Sequence, residues 1–214
     1  MLVDDYLPIY DVSDGVALVA NADAATTWDA LMNVDLIEVG RQRPLVAALG
    51  ALRMLPDLVS HLLHGERPTA PSHLRVRDLT GLSLGKGGWV LLECRERDEI
   101  ALGLVGKFWR PVIEFAPVSS AEDFRAFAEP GFAKTVYALS VRALDPDRTL
   151  LAGVMRTATT NEDARGWFRR YWTFGVGSGA HLLVHGLLDV TREIAEQRAP
   201  ASRGEKPAGG AALG

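Results

Sequence analysis

Hydrophobic spacing divides the chain into stretches of different period. Gly15–Ala20 is a short apolar run, read as a strand. Asp23 then stands where it can cap a helix over 24–33, with Trp28, Leu31 and Met32 on its buried face. Pro44 suits the first turn of a second helix, over 45–63, whose Leu45, Leu49, Leu52, Leu55, Leu58, Val59 and Leu62 keep a three-to-four rhythm that Pro56 should kink. From Leu74 to Leu79 the period falls to two, as in a half-buried strand. The first thirteen residues read as an irregular lead-in.

Further strands follow. Trp89–Glu96 and Ile100–Trp109 flank the turn Arg97-Asp98, and Pro111–Pro117 can add a short edge strand. Residues 121–127 read as a helical turn or two, and Pro130-Gly131 as a sharp turn. Asp145-Pro146-Asp147-Arg148 has type I turn chemistry and joins Lys134–Leu144 to Thr149–Thr159 as a hairpin. A tight turn there pairs Tyr137 with Arg156, Leu139 with Val154 and Val141 with Ala152, all on one inner side. Ser140, Arg142 and Thr157 fall on a wetter side. Thr160 and Asp163 form a variant capping box opening a helix over 161–198. Phe168, Tyr171, Trp172, Leu183, Leu187, Val190 and Ile194 supply its apolar stripe. Gly175, Gly177 and Gly179 would cost an unbroken helix roughly 3 kcal/mol relative to alanine, so a break is expected there.

The element order predicts an α+β architecture, an antiparallel sheet covered by the long last helix. Small strand residues (Gly103, Gly106, Ala138, Ala152, Gly153) favour curvature and leave room between sheet and helix, so an apolar cavity is expected. Residues 1–198 read as one domain and 199–214 as a disordered tail with nothing to bury. No internal repeat is visible.

Composition narrows the classes of function. The chain has 214 residues, 48% hydrophobic and 23% charged, with a net charge of −4. No basic stripe is available for nucleic acid. No run of 18 apolar residues predicts a membrane span. The acidic opening Met1-Leu2-Val3-Asp4-Asp5 is unlike a secretory signal, so a cytoplasmic location is expected. A single cysteine, Cys94, excludes an internal disulfide and is read as a buried, inert thiol.

The segments "GVALVANADAATTWDAL", "IALGLVGKFW", "FRAFAEPGFAKTVYALSV" and "LAGVMRTATTNEDARGWFRRYW" resemble the helix-grip, START-like superfamily (SRPBCC), which includes polyketide cyclases, lipid-transfer START domains and birch-pollen-allergen-type proteins. The resemblance spans about residues 11–197. "RGWFRRYW" is similar to a bacterial subgroup without assigned activity, which often has proline where this chain has Gly175-Val176-Gly177. The resemblance implies a curved sheet of six to seven strands around a long C-terminal helix, with Trp28 packed inside. Catalytic residues vary across the superfamily, so it assigns none here.

Candidate chemistry is sparse. His181 and His185 share a helix face but lack the glutamate of a metalloprotease motif, and His61 and His64 suit a helix C-terminus, so no metal site is expected. Gly85-Lys86-Gly87-Gly88 lacks phosphate-loop spacing, and Glu122-Asp123 suit a solvated helix start. What remains is an aromatic group and one inward charge. Trp109, Tyr137, Arg156, Phe168 and Trp172 are the expected ligand-binding residues, with Arg156 and Tyr137 orienting a small, largely apolar molecule. Core packing is the plain alternative for the aromatics, and an internal salt bridge with Glu114 or Glu93, or an outward reach to water, for Arg156. The second function expected is a cyclase or dehydratase, Arg156 polarising a carbonyl and Tyr137 donating a proton. An inward base is missing from that reading, which favours binding without catalysis. A third is an interaction protein with a filled core. No cofactor is implied, and the sequence leaves the oligomeric state open.

Overall fold

The computed structural model describes residues 1–42, 73–81, 83–84 and 87–199. The helix expected over 45–63, His61, His64, Gly85, Lys86 and the tail beyond 199 lie outside them. In chain order the elements are α1 (Leu2–Tyr6), β1 (Val12–Ala20), α2 (Ala24–Asn33), α3 (Leu36–Gln42), a 3-10 turn (Val76–Gly81), β2 (Ser83–Leu84), β3 (Gly87–Gly88), β4 (Val90–Arg95) and β5 (Glu99–Gly106). Then come α4 (Ala121–Ala126), β6 (Ala133–Asp145), β7 (Arg148–Thr159), α5 (Glu162–Tyr171), a π-helical turn (Trp172–Val176) and α6 (Gly177–Arg198).

The fold is α+β. A curved antiparallel sheet of order β1-β7-β6-β5-β4 is crossed by the long C-terminal helix, an arrangement consistent with a helix grip. Among the described residues the sheet has five strands, where six to seven were expected. Leu74–Leu79 forms a bridge (Arg75 to Asp35) and then the 3-10 turn, because Asp35 accepts from the amides of Leu74 and Ile37 and bends the chain. The 111–117 segment keeps one bridge, Phe115 to Gly106. Ser83–Leu84 and Gly87–Gly88 pair only with each other.

Several local signals hold as read. Asp23 caps α2, its carboxylate accepting from Thr26 N at 2.9 Å. At α5 the capping residue is Asn161, which accepts from Ala164 N at 3.1 Å. Thr160, expected there, is instead engaged with Phe132 through both N–H and carbonyl. The lead-in is not irregular: α1 inserts Leu2, Val3 and Tyr6 into the core.

The β6–β7 hairpin departs from its expected register. At the turn Asp145 faces Arg148 as predicted, but the register shifts between Ala143 and Asp145. Leu144 is the extra residue of a bulge. Beyond it every pair is displaced by one: Tyr137 faces Met155, Leu139 faces Gly153, Val141 faces Leu151, and Arg156 faces Val136. A one-residue slip moves side chains to the opposite face of a sheet. Arg156 and Tyr137 therefore point to opposite sides, and Thr157 joins Tyr137.

Both faces are buried. On one, Val136, Ala138, Val154 and Ala158 pack with Leu2, Val3, Tyr6, Phe124 and Phe132 from α1, α4 and their flanks. This is the side expected to be wetter. On the other, Leu139, Val141 and Leu151 pack with Trp28, Leu31, Val184 and Leu188 from α2 and α6. Gly153 does not create space. A Cβ there would stand 2.8 Å from Val184 Cγ1, so the glycine lets α6 press onto β7. The helix stripe is broader than expected: Val184, Leu188 and Thr191 are buried alongside the expected Val190, while Leu183 is 45% exposed. Cys94 is exposed on the edge strand β4, not buried. Among the described residues no helix is long and apolar enough to cross a membrane, and no metal-binding cluster occurs.

Asp11 ties the start of β1 to two later elements. Its carboxylate accepts from Thr159 N, Thr159 Oγ1 and Arg165 Nε, each at 2.7 Å. Burial pushes the carboxyl upward, but the Thr159 bonds and the Arg165 charge outweigh it and hold the pKa below the ordinary range. A depressed folded-state pKa contributes stability that is complete above the unfolded value of about 3.9 and is lost as pH falls through the lower folded value. Asp11→Ala should lower unfolding free energy at pH 7 by roughly 1–3 kcal/mol. Chemical denaturation should show the gap between mutant and parent narrowing at pH 3. An undiminished gap at pH 3 would place the effect in packing instead.

Candidate functional site

Register decides which residues meet above the sheet. Directly opposed residues share a face. One row on the helix side runs Val12, Thr157, Thr135, Leu104, and the next runs Asp14, Met155, Tyr137, Leu102. Farther along the strands, Val184 and Leu188 seal the face near Gly153. Over the first rows a pocket remains. Leu104, Thr135, Tyr137, Met155 and Thr157 line it from the sheet, Phe168, Tyr171, Trp172, Val176 and Ala180 from the helices, and Trp89 and Phe108 from the side. Its volume is about 130 Å³, and it opens to solvent on one side. The space thus lies at one end of the helix, not beneath its middle.

The π-helical turn shapes that end. Its first residue, Trp172, stacks on Phe168 with ring centroids 5.9 Å apart. The indole also lies against Gly177, where a Cβ would stand 2.7 Å from Trp172 Cε2. The glycines were expected to break the helix. What they permit is a wider turn that keeps the helix continuous and turns Trp172 into the wall.

Polar groups in the wall are few. The Thr135 and Thr157 hydroxyls bond each other at 2.8 Å, both side chains buried. Tyr137 meets Trp89 edge-on with centroids 5.4 Å apart. Among the described residues its hydroxyl has no hydrogen-bond partner. Burial, reinforced by Tyr171 and Asp14, pushes its pKa up to about 12, so the phenol is protonated throughout the physiological range. Asp14, in the same row, receives His181 Nδ1 at 3.0 Å.

Of the five residues expected to bind ligand, Tyr137, Phe168 and Trp172 line the pocket. Trp109 stands behind the wall, edge-on to Phe168 at 6.5 Å. Arg156 is on the other face. It pairs with Asp4 at 2.7 Å, donates to the Leu7 carbonyl at 3.3 Å and lies 4.4 Å over the Tyr10 ring. Its partner is neither Glu93 nor Glu114. Sequence reading missed Trp89, Thr135, Thr157 and Met155 in the wall and Asp14 and His181 beside it. The two-residue alternation of β6 could have given Thr135 alongside Tyr137. Thr157 and Met155 depended on the bulge, and Asp14–His181 on strand order.

Fold and site together define an α+β protein whose sheet and C-terminal helix enclose a small aromatic-walled pocket. No family model matches the chain, and no curated protein matches it. A conserved protein from Geobacillus kaustophilus is similar in structure with a TM-score of 0.38 and 11% identity, over 87% of this chain and 96% of that one. A hypothetical protein of Helicobacter pylori has a TM-score of 0.39 and 9% identity, over 90% and 93%. An aromatase/cyclase of a Streptomyces species has a TM-score of 0.32 and 14% identity, over 90% and 98%. These likenesses are distant.

Arg156 is a fastener of the N-terminal segment. Arg156→Leu should raise amide exchange in residues 2–7 at least several-fold and leave the near-ultraviolet spectrum of the pocket aromatics unchanged. The reverse pattern would put the guanidinium at the pocket.

Proposed function

We propose that the protein binds a small, largely apolar molecule in the pocket between the sheet and the C-terminal helix. The supporting observation is an open pocket walled by Trp89, Phe108, Phe168, Tyr171 and Trp172 that carries an unpartnered phenol. A pocket left between well-packed regions costs dispersion contacts unless something fills it. At about 130 Å³ it is well below the roughly 300–1,000 Å³ of drug-sized sites. Tyr137, Phe168 and Trp172 contact the ligand in this reading, and Trp109 backs Phe168. No cofactor takes part. Toluene is a suitable probe. In spectra of isotope-labelled protein it should shift the amides of Tyr137, Met155 and Thr157, and Ala180→Trp, which fills the pocket from the helix side, should abolish those shifts. No shifts in the parent at millimolar toluene would overturn the reading.

A cyclase- or dehydratase-type activity is a second reading, favoured by one observation. The Asp14–His181 pair stands beside the pocket, with Asp14 in the row of Tyr137, and would serve as the base missing from the sequence reading. Tyr137 would donate a proton to a carbonyl while His181, held by Asp14, takes one from carbon. Turnover of an enone or polyketide-like substrate, lost in both Tyr137→Phe and His181→Gln, supports this reading. No turnover across a broad panel dismisses it.

A further inference from the structure

The walls of the pocket restrict what can fill it, in size, charge and hydrogen bonding. Size comes first. A dry cavity of about 150 Å³ takes one benzene ring. The pocket here is about 130 Å³ and open on one side, so one ring fits with a short substituent toward the opening. Six aromatic side chains in the wall suit a ring, because offset and edge-on contacts add to simple burial.

Charge comes second. Among the described residues no ionisable acid or base lines the pocket apart from the two phenols. Arg156, the cation expected there, is held by Asp4 on the opposite face. Asp14 stands in the row of Tyr137, where its charge disfavours a second negative charge. A carboxylate entering would lose its hydration and meet no cation.

Hydrogen bonding comes third. Thr135 and Thr157 satisfy one another, although the accepting hydroxyl keeps its own proton to donate. The other polar groups on lining residues are phenol O–H and indole N–H, and an indole can only donate. The half-buried Tyr137 hydroxyl is without a protein partner among the described residues. Leaving such a donor unmet in a desolvated site is unfavourable.

We propose that the pocket selects a neutral, single-ring aromatic molecule bearing a hydrogen-bond acceptor, such as an aryl ketone or aldehyde, whose oxygen is held by the Tyr137 hydroxyl. The proposal rests on the reading of the pocket as a ligand site. Three probes of similar size separate the two: acetophenone, ethylbenzene and benzoate, titrated into the full chain by calorimetry or by amide shifts. Acetophenone should bind about threefold to tenfold tighter than ethylbenzene, the worth of one neutral hydrogen bond. Benzoate should bind more weakly than either. In Tyr137→Phe the acetophenone and ethylbenzene affinities should converge to within twofold.

Equal affinity of the two neutral probes in the parent overturns the acceptor class and leaves the ligand site standing. So does an acetophenone preference that survives Tyr137→Phe. Benzoate as the tightest probe overturns the neutrality. If ethylbenzene and acetophenone both fail to bind, the ligand site itself fails, and this proposal with it.

Discussion

The register of the β6–β7 hairpin is the constraint from which the two faces of the sheet follow. Residues beyond the Leu144 bulge alternate with a period of two, so one inserted residue fixes the side of every later side chain. In this register β7 sends Leu151, Gly153, Met155 and Thr157 toward α6, and Ala152, Val154, Arg156 and Ala158 toward α1 and α4. Each set suits its side. Gly153 sits under Val184, and Arg156 sits where Asp4 and the Leu7 carbonyl engage its two terminal nitrogens. The opposite register would part the guanidinium from Asp4 and the Leu7 carbonyl and set it against the aromatic wall, which is unfavourable. It would also turn Gly153 and Thr157 away from the helix.

The pocket follows from incomplete closure of the helix over that face. α6 presses onto β7 through Val184 and Leu188, and the closest approach is fixed by the missing side chain of Gly153. Toward its N-terminus the helix widens into the π-helical turn. Trp172 folds back against Gly177 and stacks on Phe168. A bulky residue at 177 would displace the indole, and with it part of the wall. The same chain segment therefore seals the sheet at one end and leaves a small opening at the other.

Much of this was legible in the residues. The Asp23 cap, the α2 span, the β4–β5 and β6–β7 hairpins and the long last helix all rest on local chemistry, which sequence displays directly. The errors come from two places. The first is the bulge, a single residue that turn chemistry does not announce: Asp145-Pro146-Asp147-Arg148 gave the right pair at the turn and the wrong face for Arg156. The second is tertiary cover. Leu2, Val3 and Tyr6 look like a lead-in until Phe124 and Val136 are seen to complete their cluster. Cys94 follows the apolar run Val90-Leu91-Leu92, yet it stands between Glu93 and Arg95 on β4, the sheet edge. Aromatic content near the site was visible, so Phe168 and Trp172 were found. The polar members, Thr135, Thr157 and the Asp14–His181 pair, required knowing which strands adjoin.

The protonation of Tyr137 bears on both readings of the pocket. With its pKa at about 12 the phenol can donate at any physiological pH but cannot serve as a resting base. A ligand held by it alone would bind with an affinity nearly independent of pH. Catalysis would add a requirement that His181 be neutral when it takes a proton. The imidazole is 46% exposed and held by Asp14 beside the pocket. Tyr137 serves both readings, and the Asp14–His181 pair only the second.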